Sequence, residues 1–324
     1  LSSYLFVNDY LQALTMTTTT APVLVTGAAG RVGSVGRRVV EILRKSGLPV
    51  RALVRRDDER AEYLRGLGAE VIIADLTKSE QVAPAVEGCR LVFFSTSVAS
   101  DYLTASVVMT AAARANPEIE LLVNLSQMTV SRMDLTKVTD SPQQRAHWLA
   151  EQALNWSGVP VAHLRPTVFQ ESPFFWGLAA KSIADAGIIA LPFGRSHTNP
   201  VAANDVGEVA AAMLLEPSKY VGKTVELTGP RSASMYDLVE EYSSALGRPV
   251  RYIEVPLESW LEESRMQGRL PEHVLQHVTT MAKLHAIGEY DRVTDAVSEI
   301  LGRPAASISE TIKAGHVPFA PLSL

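Results

Sequence analysis

The stretch VLVTGAAGRVG, Val23 to Gly33, decides how the rest of the chain is read. Its first four residues are apolar or β-branched and predict a short buried strand. Glycines then recur at 27, 30 and 33. Between a strand and a helix, such a run makes a phosphate-binding turn. Gly27 permits the tight bend, Gly30 lets a pyrophosphate approach the backbone with no Cβ in the way, and Gly33 allows the helix to pack close on the strand. The helix N-terminus adds free N–H groups and the positive end of a dipole. The competing reading is an ordinary strand-to-helix turn with incidental glycines, so the surrounding sequence has to decide.

That surrounding sequence alternates regularly. From Arg31 to Gly47, the apolar residues Val32, Val35, Val39, Ile42 and Leu43 fall at helical spacing, and Gly47 ends the run. PVRALVRR reads as a second strand. Asp57 and Asp58 then open a helix, where acidic residues suit the N-terminal dipole. AEVIIAD, RLVFFSTS, IELLVNLSQ and VPVAHLRP read as further strands, separated by the helical SEQVAPAVEG, YLTASVVMTAAARAN and PQQRAHWLAEQALNWSG. Continuous apolar strands alternating with helices predict an α/β fold, a doubly wound parallel sheet covered on both faces.

After Pro166 the pattern changes. An aromatic loop and a helix are followed by NPVAANDVGEVAAAMLLE, a helix with Asn204 or Asp205 as its cap, and GKTVELTGP supplies another strand. From Ser232 helices dominate, apart from the short strand PVRYIEV. The expected division is a dinucleotide-binding Rossmann domain over 22–170, with 200–228 returning to it. A smaller, mostly helical C-terminal part, 171–199 and 229–324, would cover the substrate. Residues 1–21 have no basic leader region and read as an N-terminal extension, with Met16 resembling a natural start.

Composition narrows the function classes. The 324 residues are 47% hydrophobic and carry a net charge of -5, which supplies no electrostatic footprint for nucleic acid. The most apolar later stretch, GLAAKSIADAGIIALPFG, is interrupted by Lys181 and Asp185 and is too broken to span a membrane. One cysteine, Cys89, allows no intrachain disulfide and fits a reducing, cytoplasmic setting. His273 and His277 have a spacing that can hold a metal, but no third ligand stands near, and no metal is expected. The expected partner is a small molecule, neither nucleic acid nor membrane, and the expected state is a monomer or homodimer.

The glycine spacing is G-x-x-G-x-x-G, not G-x-G-x-x-G. With VRALVRR, AEVIIADLTKSEQVAPAVEGC, SGVPVAHLRPTVFQE, LTGP and ALGRPVRYIEVPLESW in that order, the chain from Pro22 on resembles the atypical or extended short-chain dehydrogenase/reductases. It is most similar to the NmrA-like family. The resemblance implies an NAD(P)-binding Rossmann fold. That family holds NAD(P)H-dependent reductases and also NADP-binding regulators without known catalysis.

The turn residues Gly27, Ala29, Gly30, Arg31, Val32 and Gly33 are expected around the pyrophosphate. An acidic residue about 20 positions further on would hold a ribose 2′-OH, whereas arginine suits a 2′-phosphate. Arg55 and Arg56 stand there, 22 and 23 residues after Gly33, and favour NADP(H) over NAD(H). Asp57 and Asp58 argue the other way, and a merely solvated basic pair is the alternative. By the resemblance, Asp75 and Leu76 border the adenine, and Ser95, Thr96 and Ser97 run along ribose and pyrophosphate.

Reductases of this superfamily carry a serine after the fifth strand and Tyr-x-x-x-Lys on the next helix. Here Ser126 is present, but His147 and Glu151 stand at the tyrosine and lysine positions. Ordinary alcohol dehydrogenation and sugar epimerisation are therefore not expected. One reading is an oxidoreductase that passes hydride from NADPH to a small electron-poor acceptor such as a quinone, imine, azo or conjugated compound. His147, near Ser126, is then the candidate proton donor, and Glu151, one turn further on, would keep the imidazole protonated. The other reading is a non-catalytic NADP(H)-sensing regulator, with His147 a packing residue. Gln127 and the aromatic Phe174, Phe175 and Trp176 are candidate substrate contacts, the rings being suited to stack on a flat acceptor or to pack a lid.

Overall fold

The computed structural model describes residues 21–30, 35–172, 180–268 and 270–314. In chain order the strands are β1 (Val23–Thr26), β2 (Val50–Val54), β3 (Glu70–Ile73), β4 (Leu91–Phe94), β5 (Leu121–Leu125), β6 (Val161–Pro166), β7 (Ile188–Leu191), β8 (His197–Thr198), β9 (Thr224–Leu227), β10 (Ala233–Ser234) and β11 (Arg251–Glu254). Seven of them form one sheet in the order β3-β2-β1-β4-β5-β6-β9. Every neighbouring pair in it runs parallel. The chain builds outward from β1 to β3, then crosses back to β4. The sheet is thus doubly wound, and the reversal falls between β1 and β4.

The strands are apolar on both faces because both faces are covered. Successive side chains of a strand point to opposite sides. Val23 and Val25 accordingly enter one core, with Val39 and Leu43 of the helix Val35–Lys45 and Val206, Val209 and Ala210 of the helix Ala203–Leu215. Leu24 enters the other, with Val92, Leu122, Met109 of the helix Tyr102–Ala115 and Leu154 of the helix Pro142–Trp156. Each fully buried leucine or valine contributes roughly 1.5–3 kcal/mol of hydrophobic stabilisation.

A third core builds the smaller part. Ile189, Leu191, Phe193, Tyr242, Tyr252, Trp260 and Leu275 pack together there. β7 pairs in parallel with β11, and β8 pairs antiparallel with β10. No strand was expected at Ile188–Leu191. Its run of four residues acquires strand form from the partner β11, about sixty positions away.

Two further expectations change. The helix Ala203–Leu215 starts ahead of Asn204 and has no cap of its own. The carboxylate of Glu171 accepts its first N–H, at Ala203, with oxygens at 3.0 and 3.2 Å. Burial, together with the nearby Asp205, pushes the Glu171 carboxyl up to about 7. Asp205 instead accepts from Arg303 at 2.8 Å and from the Ala306 N–H at 2.7 Å. The helix Ala296–Leu301, expected within the smaller part, packs its Val297 into the core beneath the large sheet.

Candidate active site at the carboxyl edge of the sheet

Gly27 sits at φ +69°, the left-handed region that disfavours a side chain. A Cβ there would lie 2.9 Å from the Ser95 carbonyl oxygen. The Gly30 N–H donates to the Gly27 carbonyl at 3.0 Å and closes the turn. Arg31, Val32 and Gly33 lie outside the described residues. A close approach of helix and turn is made at Gly36, where a Cβ would stand 2.8 Å from the Ala28 nitrogen and the Gly27 carbonyl carbon. One more step of three along the sequence reaches this fourth glycine. Thr26 Oγ1 donates to the Ser95 carbonyl at 2.7 Å and accepts the Ser95 N–H at 2.8 Å, which ties the ends of β1 and β4 together. The floor of the crevice at the order reversal is therefore fixed, and ligands of open α/β sheets bind at that place.

Arg55 and Arg56 are exposed at the end of β2, and among the described residues neither forms an ion pair. The two aspartates that follow are occupied. Asp57 pairs with Arg65 at 2.8 Å. Asp58 caps the helix Glu59–Gly66 by accepting the Arg60 N–H at 3.0 Å, and it also pairs with the Arg60 guanidinium. The hydrogen bonds from Arg60 hold the Asp58 carboxyl down at about 2. The other arm of Arg60 donates to the Ala29 carbonyl of the glycine turn at 2.7 Å. Nothing in the local sequence singled out Arg60.

Asp75 accepts from Thr77 N and Oγ1 at 2.9 and 2.8 Å, which lowers its pKa. Leu76 packs on the core that holds Leu24. Ser95 and Thr96 are half-buried and Ser97 is exposed. The structure thus brings Gly27, Ala29, Gly30, Arg55, Arg56, Asp75, Leu76 and Ser95–Ser97 to the carboxyl ends of β1 to β4. Phe174, Phe175 and Trp176 lie outside the described residues.

His147 is not placed as a titrating acid. Its Nδ1 shares a 2.7 Å hydrogen bond with Tyr102 Oη, and the two rings lie 4.0 Å apart. Burial, with the nearby His277, pushes the imidazole down to about 3, so it is neutral at physiological pH. Glu151, expected to charge it, is turned to Arg165, which donates to its two carboxylate oxygens at 3.0 and 2.5 Å. The imidazole and the carboxylate share a helix face in sequence, but each finds its partner on another element.

Beside His147 lies a set of polar groups, of which Gln143, Gln144 and Tyr290 were marked by no sequence motif. Gln143 Oε1 accepts the Ala99 N–H at 3.2 Å, in the loop that follows Ser95–Ser97. Gln144 is fully buried, with the Tyr290 hydroxyl as its side-chain neighbour. Ser126 Oγ is buried with no hydrogen-bond partner among the described residues. Gln127 is half-buried and accepts from Thr129 Oγ1 at 3.0 Å. Ser141 Oγ and His277 Nδ1 are hydrogen-bonded at 2.9 Å. Burial pushes His277 down to about 4, and among the described residues no group of acidic, histidine or cysteine side chains is arranged to hold a metal. Open clefts of about 560 Å³ beside Trp148 and Arg165 and about 650 Å³ beside β9 do not include the glycine turn.

A parallel sheet in this order, with a glycine turn at its reversal, defines a Rossmann-type dinucleotide-binding fold. The chain belongs to the NmrA-like family, whose model matches residues 19–308. It is 28% identical over 302 residues to the NAD(P)H azoreductase of Xenophilus azovorans, spanning 92% of this chain and 99% of that one. Among solved structures it is similar to an NADPH-dependent quinone oxidoreductase of Escherichia coli complexed with NADPH, at TM-score 0.77, 20% identity and coverage of 90% and 99%. It is also similar to NmrA, a negative transcriptional regulator in complex with NADP, at TM-score 0.73, 17% identity and coverage of 91% and 95%. Among the described residues no helix is long and apolar enough to cross a membrane.

Proposed function

We propose that the protein is an NADPH-dependent reductase of small electron-poor acceptors, of the azo, quinone, imine or conjugated type. The residues present fit the cofactor. A pyrophosphate would lie against the turn at Gly27, Ala29 and Gly30, where any Cβ at Gly27 would crowd Ser95. The exposed Arg55 and Arg56 would hold the 2′-phosphate through charge-assisted hydrogen bonds. The nicotinamide, when bound, supplies a hydride.

The observation that carries catalysis, beyond binding, is the likeness to an NAD(P)H azoreductase, 28% identical and spanning 92% of this chain. An acceptor that takes up hydride needs one proton in addition, and with His147 neutral and engaged by Tyr102 that proton comes from water. The full-length likeness to an azoreductase supports the same acceptor class.

The test is NADPH oxidation with a panel of azo dyes, quinones and imines. NADPH consumed in step with the loss of one of these acceptors supports the reading. The regulator reading is favoured by one observation, the absence of Tyr-x-x-x-Lys with His147 locked to Tyr102. NADPH binding without turnover of any acceptor would establish it.

A further inference from the structure

We infer that Arg60 sets the cofactor preference by masking the carboxylate of Asp58. The inference rests on the reading that a dinucleotide occupies the glycine turn. Its adenosine ribose must then lie between the turn and the end of β2, since those two segments contact the pyrophosphate and the 2′ position. The Asp58–Arg60–Ala29 chain of hydrogen bonds spans that gap. Arg60 donates to Asp58 on one side and to the Ala29 carbonyl on the other.

Asp58 carries the chemistry of an NAD(H) site. A carboxylate shortly after the second strand accepts a hydrogen bond from a ribose 2′-OH and repels a 2′-phosphate. Here one oxygen of Asp58 caps the helix Glu59–Gly66, and both oxygens receive the guanidinium of Arg60. The acid is neutralised at short range and its acceptor sites are filled. Among the described residues Arg55 and Arg56 form no ion pair, Arg55 standing only near enough to Asp75 to help lower its carboxyl, and both remain to meet the phosphate. The site thus contains both specificities, and Arg60 hides one of them. Asp57, just ahead of the same helix, is likewise engaged, by Arg65 at 2.8 Å.

The experiment is calorimetric titration of the full chain with NADPH and NADH. The wild type should bind NADPH more tightly. Arg60→Met exposes the carboxylate, so the NADPH Kd should rise about ten- to a hundredfold, while the NADH Kd stays within about threefold or falls. Asp58→Asn in the Arg60→Met background should recover most of the NADPH affinity, because asparagine caps the helix as well as aspartate and carries no charge. Equal weakening of both cofactors by Arg60→Met would mean that Arg60 only anchors the turn through Ala29, and overturns the inference. So would an unchanged NADPH Kd, or a double variant that recovers nothing. A wild type that binds neither cofactor refutes the underlying cofactor reading instead.

Discussion

Acidification to pH 5 should destabilise this protein, because its interior holds neutral histidines. His147 is pushed down to about 3, and His277 and His285 to about 4, in each case mainly by burial. His163 is lowered for the same first reason. In the unfolded chain an imidazole titrates near 6.5, so below that pH the unfolded state binds protons that the folded state refuses. Stability is therefore full above pH 6.5 and is lost as pH falls toward the folded values. Between pH 7.5 and pH 5, His147, His277 and His285 each contribute a loss of about 2 kcal/mol. Glu171 works in the other direction. Its folded pKa, raised to about 7, lies above the unfolded value, so its contribution is present at low pH and lost as pH rises through 7. Acidification thus returns about 2 kcal/mol, and the net loss is about 4 kcal/mol. Depressed carboxylates such as Asp58 titrate below this window and do not change the sum. Against a typical total of about 5–15 kcal/mol, that loss should lower Tm by roughly 10 °C. The assay is thermal unfolding followed by circular dichroism from pH 7.5 to pH 5 at constant ionic strength. His285 is stacked between Phe193 at 4.0 Å and Tyr290 at 4.1 Å, so His285→Phe keeps an aromatic ring there and should flatten the pH dependence by about 2 kcal/mol. A Tm that is level from pH 7.5 to pH 5 would refute the argument.

Other outcomes follow from the same contacts. Gly36→Ala places a methyl 2.8 Å from the backbone of the glycine turn and should cost about 1–3 kcal/mol and weaken NADPH binding. Gly47→Ala, with nothing within 4 Å, should leave cofactor affinity alone, and a titration of both variants checks the contrast. Arg55→Ser with Arg56→Ser should raise the NADPH Kd about ten- to a hundredfold and the NADH Kd far less; equal changes would remove the arginines from phosphate recognition. His147→Phe leaves Tyr102 unpaired and should cost about 1–3 kcal/mol by urea unfolding. It should also leave the ionisations of the pH–rate profile intact, and a lost ionisation would return His147 to the role of acid. Glu151→Gln strips the buried partner of Arg165 and should destabilise the fold by about 3–5 kcal/mol in the same urea assay.

The sequence by itself determined what depends on near neighbours. Strand and helix periods and the glycine step of three are patterns of near neighbours, and so the doubly wound sheet and its glycine turn could be read from them. Even the fourth glycine, Gly36, continued a visible spacing. What tertiary structure decided lies between residues far apart in the chain. β7 is a strand because β11 pairs with it. The helix at Ala203 is capped by Glu171, 32 residues earlier, so its own Asn204 and Asp205 were misleading signals. His147 has an acid's place in the motif, yet burial against Tyr102, with His277 nearby, keeps it uncharged, and Glu151 answers to Arg165. A proton affinity is set by desolvation and by charges within a few ångströms, and a sequence does not show which distant segments will bring them there.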